Sequence, residues 1–254
     1  MDFLDAEAIR VPGAEVRVLG RCASTNTLLL ATPLARPVLL AADVQTAGRG
    51  RRGRRWHSPP GCGALFSLGL PLERPVRELS GLSIVAGVAA VRALRALGAA
   101  RVALKWPNDL LLEGGKLGGI LAETRARGAG SAAVIGIGLN HRRAPGLSAR
   151  LRRGVATLED WLAPLPARNA VIGAVARSVL AALREFDAAG LEPFRRDWER
   201  MHAFAGQRLR VRLADGRVLA GVASGLEADG ALRLHTRGGM RAVRSGRVLL
   251  PRSA

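Results

Sequence analysis

Apolar positions in this chain fall into several short runs and a few long amphipathic stretches. Val16–Leu19, Val38–Val44 and Ala64–Leu70 read as strands, the second apolar throughout and so buried. Between the first two, Ser24-Thr25-Asn26 precedes Leu28-Leu29-Leu30, and Ser or Thr can cap a helix starting there. From Arg77 to Leu97 apolar residues recur at 79, 82, 85, 88, 91, 94 and 97, with Gly98 where a C-terminal cap belongs. That periodicity predicts a core helix. Short strands follow over Arg101–Lys105, Leu110–Leu112, Leu117–Glu123 and Ala132–Leu139. Helices resume over Ala167–Ala188 and Leu191–Ala203, the latter carrying Leu191, Phe194, Trp198 and Met201 on one packing face.

After Gly206 the texture changes. Arg208–Leu213, Val218–Ser224, Ala231–Leu234, Met240–Val243 and Val248–Leu250 are short strands, and Asp215-Gly216 and Asp229-Gly230 mark turns between the first pairs. The pattern predicts an α+β body over residues 1–205 and a small β-barrel over 206–254. Residues 1–14 read as a short lead-in, and Gly48–Pro60 as a loop.

Composition narrows the class. The longest nearly unbroken apolar run, Leu82–Val91, has ten residues, and a membrane-spanning helix needs about twenty. Asp2, Asp5 and Glu7 give the N-terminus the wrong sign for a secretory or transit peptide. Cys22 and Cys62 allow one disulfide at most, and with four scattered histidines they build no metal framework. The expectation is a soluble cytoplasmic protein that does not engage a membrane.

Charge needs more care. The chain carries 39 basic and 20 acidic residues, a net +19, which raises acidic partners and nucleic acid as candidates. Of the basic residues 37 are Arg and two Lys; Tyr is absent and Asn numbers four. Lys, Asn and Tyr have A/T-rich codons, so part of the charge reflects a G/C-rich genome. Aromatic residues for base stacking are scarce at 4%.

The same bias acts as a filter. A Lys or Asn persists where Arg, Gln or Ser cannot substitute, because a site built for a compact ammonium rejects a planar guanidinium. Lys105 and Lys116 lie close together in sequence, and Asn26, Asn108 and Asn140 sit in dense polar or glycine-rich contexts. Turn chemistry explains one or two of these residues; the clustering of all five points to a site.

Gly48-Arg49-Gly50-Arg51-Arg52-Gly53 satisfies G-x-G-x-x-G after a strand, with Glu73 about twenty residues on as a ribose-binding acid would be. The context is wrong for a dinucleotide fold, because the chain continues Arg54-Arg55-Trp56-His57-Ser58-Pro59-Pro60 rather than opening a helix. Five arginines in seven residues on a glycine backbone suit closure over a polyanion. Lys105, Lys116, Asn108 and Asp109 form a cationic, metal-compatible cluster; Ser24, Thr25, Asn26 and Gln45 suit an uncharged polar head group.

Ser24-Thr25-Asn26, Gln45, the Gly48–Arg54 run followed by Trp56, Lys105-Trp106-Pro107-Asn108-Asp109, Lys116-Leu117-Gly118-Gly119-Ile120-Leu121 and Gly136-Ile137-Gly138-Leu139-Asn140 together resemble biotin–protein ligases, over about residues 16–250. The resemblance implies a class II aminoacyl-tRNA-synthetase-like, biotin–lipoate ligase catalytic domain with a mixed sheet, followed by an SH3-like barrel. It implies an ATP-dependent enzyme that forms biotinyl-5'-AMP and passes biotin to a lysine of a biotin carboxyl carrier protein. By the same resemblance Ser24, Thr25, Asn26, Gln45, Arg49, Gly50, Arg51, Lys116, Gly118 and Gly136 contact biotin. Arg49, Arg51, Arg54, Trp56, Lys116 and Asn140 contact ATP; Lys116, Arg51 and Asp109 are catalytic; Asn108 and Asp109 hold Mg²⁺. Only 23 residues precede Ser24, too few for the DNA-binding domain of bifunctional relatives, so DNA binding is not expected. Ser245-Gly246-Arg247-Val248 lacks the acidic residue that often follows this glycine in similar proteins. A homodimer stays open, as do two rival readings: a lipoate ligase or octanoyltransferase of the same fold, and a basic nucleic-acid-binding module.

Overall fold

The computed structural model describes residues 3–151 and 154–249. A seven-stranded mixed sheet forms from β1 (Glu15–Cys22), β2 (Val38–Gln45), β3 (Gly63–Leu72), β4 (Val102–Lys105), β5 (Asp109–Leu112), β6 (Gly115–Arg127) and β7 (Gly130–Asn140). Its order is β1-β2-β3-β7-β6-β5-β4. Only β1 and β2 run parallel; the other pairs are antiparallel. Helices α2 (Leu82–Ala96), α4 (Arg168–Ala189) and α5 (Glu192–Met201) cover one face with the main core, and α1 (Thr25–Ala31) covers the other. The short α3 (Leu147–Leu151) follows β7 and has no counterpart in the sequence reading. Among the described residues no helix is long and apolar enough to cross a membrane.

Period-two alternation sorts β7 between these faces. Ala133, Ile135, Ile137 and Leu139 enter the main core, whereas Ala132 and Val134 pack beside Leu29 of α1. Gly136 and Gly138 continue the α1-side row, leaving that stretch without side chains.

Two expectations are corrected here. The helix predicted from Arg77 starts at Leu82, because Gly81 adopts φ +96 and breaks the backbone; Val76–Glu78 forms a separate 3-10 turn. Leu79 is still buried, so the apolar period continued across a change of conformation. The lead-in belongs to the core: Leu4, Ile9 and Val11 are buried, and Asn169 ties it down by accepting from the Asp5 amide and donating to the Phe3 carbonyl.

The C-terminal strands are β8 (Arg208–Leu213), β9 (Val218–Leu226), β10 (Leu232–Thr236), β11 (Gly239–Val243) and β12 (Gly246–Leu249). They form an antiparallel sheet in the order β11-β10-β9-β8-β12. Among the described residues the expected small SH3-like barrel is not closed: β12 returns to pair with β8, which leaves β11 and β12 as opposite edges. Leu250, the last residue of the predicted strand, lies outside the described residues. Leu209, Val211, Leu232 and Val248 share one apolar cluster with the N-terminal α+β body. Trp106 Nε1 donates to the Gly230 carbonyl at 3.2 Å, and Ser80 Oγ to the Asp229 carbonyl at 2.5 Å.

His202 sits at this junction, 6% exposed and stacked 4.5 Å from the Trp198 ring. Burial lowers its pKa from 6.5 to about 4. Below pH 6.5 the unfolded chain therefore takes up a proton that the folded chain refuses. Stability from this group is complete above pH 6.5 and falls as pH drops towards 4. The loss is about 3 kcal/mol over that window. Urea unfolding of wild type and His202→Gln should converge as pH falls through it; a constant gap would exclude His202 as a source of acid sensitivity.

Candidate functional site

α1 begins where Ser24 caps it, its Oγ accepting from the Thr27 amide at 3.5 Å. This cap directs Thr25 and Asn26 inward, and Ser24, Thr25 and Asn26 are all buried. Gln45, at the end of β2, accepts from the Thr25 amide at 2.8 Å. Thr25 Oγ1 lies 2.6 Å from Ser67 Oγ, and Ser67 donates to Asn26 Oδ1 at 2.5 Å. Asn26 Nδ2 in turn donates to Glu123 Oε2 at 3.0 Å and to the Leu121 carbonyl at 3.2 Å. Thr25 Oγ1 also lies 3.1 Å from Gln45 Oε1; with the Ser67 proton given to Asn26, the single Thr25 proton is shared between Ser67 and Gln45. A largely neutral network therefore lines one end of the cleft.

The glycine row on β7 makes room for it. A Cβ on Gly136 would overlap Asn26 Oδ1, and one on Gly138 would come within 2.6 Å of Trp56 Cε2. Gly119 of β6 pairs with Gly138 and also faces Trp56. The indole thus lies on a glycine floor, with its Nε1 buried and, among the described residues, lacking a hydrogen-bond partner.

Beyond Trp56 the cleft becomes cationic. Lys116 of β6 sits 5.6 Å from the Trp56 ring centroid and forms an ion pair with Asp109 Oδ1. Lys105 Nζ holds Asp109 Oδ2 at 2.9 Å. Burial alone would raise the Asp109 pKa; the Lys116 and Lys105 ammoniums overcome it and hold the carboxyl below its ordinary value. Among the described residues, two ammoniums and one carboxylate make this a largely buried cluster with an excess of positive charge.

The Arg/Gly loop closes the third side. Arg49 makes a two-pronged contact with Glu123, at 2.8 and 3.1 Å, so the carboxylate that accepts from Asn26 also anchors the loop. Arg54 N donates to the Arg51 carbonyl at 3.3 Å, closing a 3-10 turn over Arg51–Gly53, and Gly50 N donates to the Arg54 carbonyl at 2.7 Å across its base. Arg52 Nη2 reaches Ser245 Oγ at 2.7 Å, joining loop to C-terminal sheet. Burial and the neighbouring Arg52 and Arg54 charges lower the Arg51 pKa, with Asp109 opposing.

Together these parts line a cleft of about 1810 Å³. It gathers Ser24, Thr25, Asn26, Gln45, Arg49, Gly50, Arg51, Arg54, Trp56, Asn108, Asp109, Lys116 and Gly136. Two expected residues serve elsewhere. Gly118 faces the core, where a Cβ would meet Leu139 Cδ2 at 2.7 Å, and Gly119 takes the cleft position. Asn140 spends its amide on the Lys116 and Ala156 carbonyls at 2.9 and 3.1 Å, which braces Lys116 from behind.

Asn108 and Asp109 do not fit a resident metal ion. Both Asp109 oxygens are taken by ammoniums, and Asn108 Nδ2 donates to the Ile120 carbonyl at 2.6 Å. Among the described residues no group of three or more His, Cys, Asp or Glu side chains gathers for a metal. Sequence reasoning missed Ser67 and Glu123 as parts of the polar network. Ser67 had a signal, being polar in the otherwise apolar β3.

Two family models match: the biotin/lipoate A/B protein ligase family over residues 19–140 and the biotin protein ligase C-terminal domain over 204–250. The bifunctional ligase/repressor BirA of Escherichia coli is 35% identical over 98% of this chain and 79% of its own length. The biotin–[acetyl-CoA-carboxylase] ligase of Mycobacterium tuberculosis is 33% identical, over 92% and 88% respectively. Biotin protein ligase from Aquifex aeolicus in complex with biotin and ATP superposes with a TM-score of 0.78 at 27% identity, covering 94% of this chain and 99% of that one. The neutral network, the glycine floor and the lysine pair thus lie in a fold shared with these enzymes, and the chain belongs to the biotin protein ligases of the biotin/lipoate A/B protein ligase family.

Proposed function

We propose that this chain activates biotin with ATP as biotinyl-5'-AMP and transfers it to a lysine of a biotin carboxyl carrier domain. Residues 1–205 form the catalytic unit in this reading, and 206–254 the unit that closes its cleft. One observation carries it: a neutral hydrogen-bonding network and a net-positive Lys105–Asp109–Lys116 cluster occupy one continuous cleft. Such a cleft suits a ligand with an uncharged polar head and an acid tail.

The ureido ring of biotin pairs with Thr25, Asn26, Gln45 and Ser24, and the aliphatic chain runs along the Trp56 indole that covers the glycine floor. Lys116 meets the carboxylate. ATP enters as its Mg²⁺ complex, with Arg49, Gly50, Arg51 and Arg54 over the phosphates and the Trp56 ring beside the nucleotide. The carboxylate attacks the α-phosphorus and pyrophosphate departs. Two unit charges 4 Å apart repel by about 4 kcal/mol at an effective dielectric near 20, so the cations are needed to bring the anions together. The acceptor amine then attacks the mixed anhydride and releases AMP.

Biotin-dependent exchange of labelled pyrophosphate into ATP tests the first step, and adding a carrier domain tests the second. Absence of exchange would overturn the proposal. Gly136→Ala probes the head-group end. Its Cβ would push Asn26 out of the network, so biotin affinity measured by calorimetry should fall about tenfold, the cost of one net hydrogen bond.

A further inference from the structure

The cleft is larger than its two small substrates need. Small-molecule pockets measure about 300–1,000 Å³, against about 1810 Å³ here. Part of the surplus is walled by the C-terminal sheet, and that wall is cationic. Arg208, Arg210 and Arg212 alternate along β8 with the buried Leu209 and Val211, so the three guanidiniums share one exposed face. Arg247 of β12 pairs directly opposite Arg212 on the same face. All four line the cleft that holds Lys105, Asp109 and Lys116.

Like charges directly opposite each other destabilise a sheet, and here nothing offsets them. Among the described residues none of these four side chains has an ion pair or side-chain hydrogen bond. Nearby arginines do find acids, Arg217 with Asp215 and Arg244 with Asp229. Glu113, on the rim of the cleft, is already paired with Arg101. Genome composition accounts for the presence of arginine; it does not account for four uncompensated ones gathered on the wall of a reaction cleft.

We propose that Arg208, Arg210, Arg212 and Arg247 are a docking comb for an acidic face of the acceptor protein, holding its lysine towards the reaction centre. This rests on the ligase reading above. Alternate residues of a strand lie about 7 Å apart, so the comb spans far more than a pyrophosphate and suits carboxylates spread over a protein surface. Single-stranded nucleic acid fits less well, because it needs stacking aromatics and residues 206–254 contain no Phe, Trp or Tyr.

The test uses the full chain, Arg208→Gln/Arg210→Gln/Arg212→Gln, with Arg210→Gln alone as a milder variant. The triple variant should keep biotin-dependent pyrophosphate exchange within about twofold while kcat/KM for the carrier domain falls at least about tenfold, through KM. Transfer by the wild type should weaken steeply with salt, and in the triple variant that dependence should flatten, as expected when electrostatic docking is lost. Should the triple variant prove unstable, Arg210→Gln should show the same KM effect at smaller size. An unchanged KM with exchange intact overturns the comb, and a parallel fall in exchange reassigns it to the nucleotide. If an oligothymidylate inhibits transfer more strongly than a polyglutamate of equal charge, the partner class is wrong. Wild-type enzyme without exchange would refute the ligase reading itself, before any acceptor is added.

Discussion

Lys116→Ala is expected to slow biotin-dependent pyrophosphate exchange by about 10²–10³-fold, the range for removing one aimed donor from a reacting centre. Lys116→Arg keeps the charge and should still lose at least about tenfold. The ammonium sits between the Trp56 ring, the Asp109 carboxylate and Gly119, whose added Cβ would lie 3.4 Å from Nζ. A planar fork cannot occupy that space without displacing the indole or breaking the Asp109 pair. Asp109 is held ionised by both lysines, so Lys116 keeps its position as pH falls through neutrality. Exchange in Lys116→Arg at the wild-type rate would show that charge alone suffices and remove the argument for a point cation.

The lysine pair was legible in the sequence for a chemical reason. In an arginine-saturated chain, two lysines survive where the ammonium cannot be replaced, and both grip one carboxylate. The same filter on asparagine was less selective, because Asn also satisfies backbone. Asn26 lies in the polar network, but Asn108 and Asn140 brace strands and Asn169 pins the N-terminal segment. Gly118 and Gly119 could not be told apart from spacing: alternation places them on opposite faces, and the register of β6 on β5 shifts between Leu110 and Leu111. Ser67 and Glu123 belong to the site through contacts 41 and 97 residues distant from Asn26 in sequence. No local pattern carries such contacts. Gly81 likewise sits within an apolar period that its left-handed backbone interrupts.

Arg51→Gly should leave biotin binding nearly intact and loosen the hold on the adenylate. Arg51 opens the 3-10 turn of the loop and lines both the main cleft and a second cavity of about 300 Å³ that runs to Ser80, Asp229 and Arg244. Its partly buried guanidinium has Arg52 and Arg54 as neighbours and Asp109 as its one offsetting charge, so a bound phosphate would relieve repulsion as well as gain hydrogen bonds. Bonds to charged groups contribute about 1.5–3 kcal/mol, and release of the adenylate from the variant should quicken about 10- to 100-fold. The remaining loop contacts, Arg49 to Glu123 and Arg52 to Ser245, do not involve Arg51 and should keep the loop in place. Adenylate that escapes is a reactive anhydride, so the variant should biotinylate bystander proteins that the wild type ignores. Rapid-quench measurement of adenylate release, with mass spectrometry of labelled lysines in a mixed protein sample, reads both effects. Unaltered retention together with unaltered acceptor selectivity would mean that closure over the intermediate does not depend on this guanidinium, and the seal would have to be sought in Trp56 and the C-terminal sheet instead.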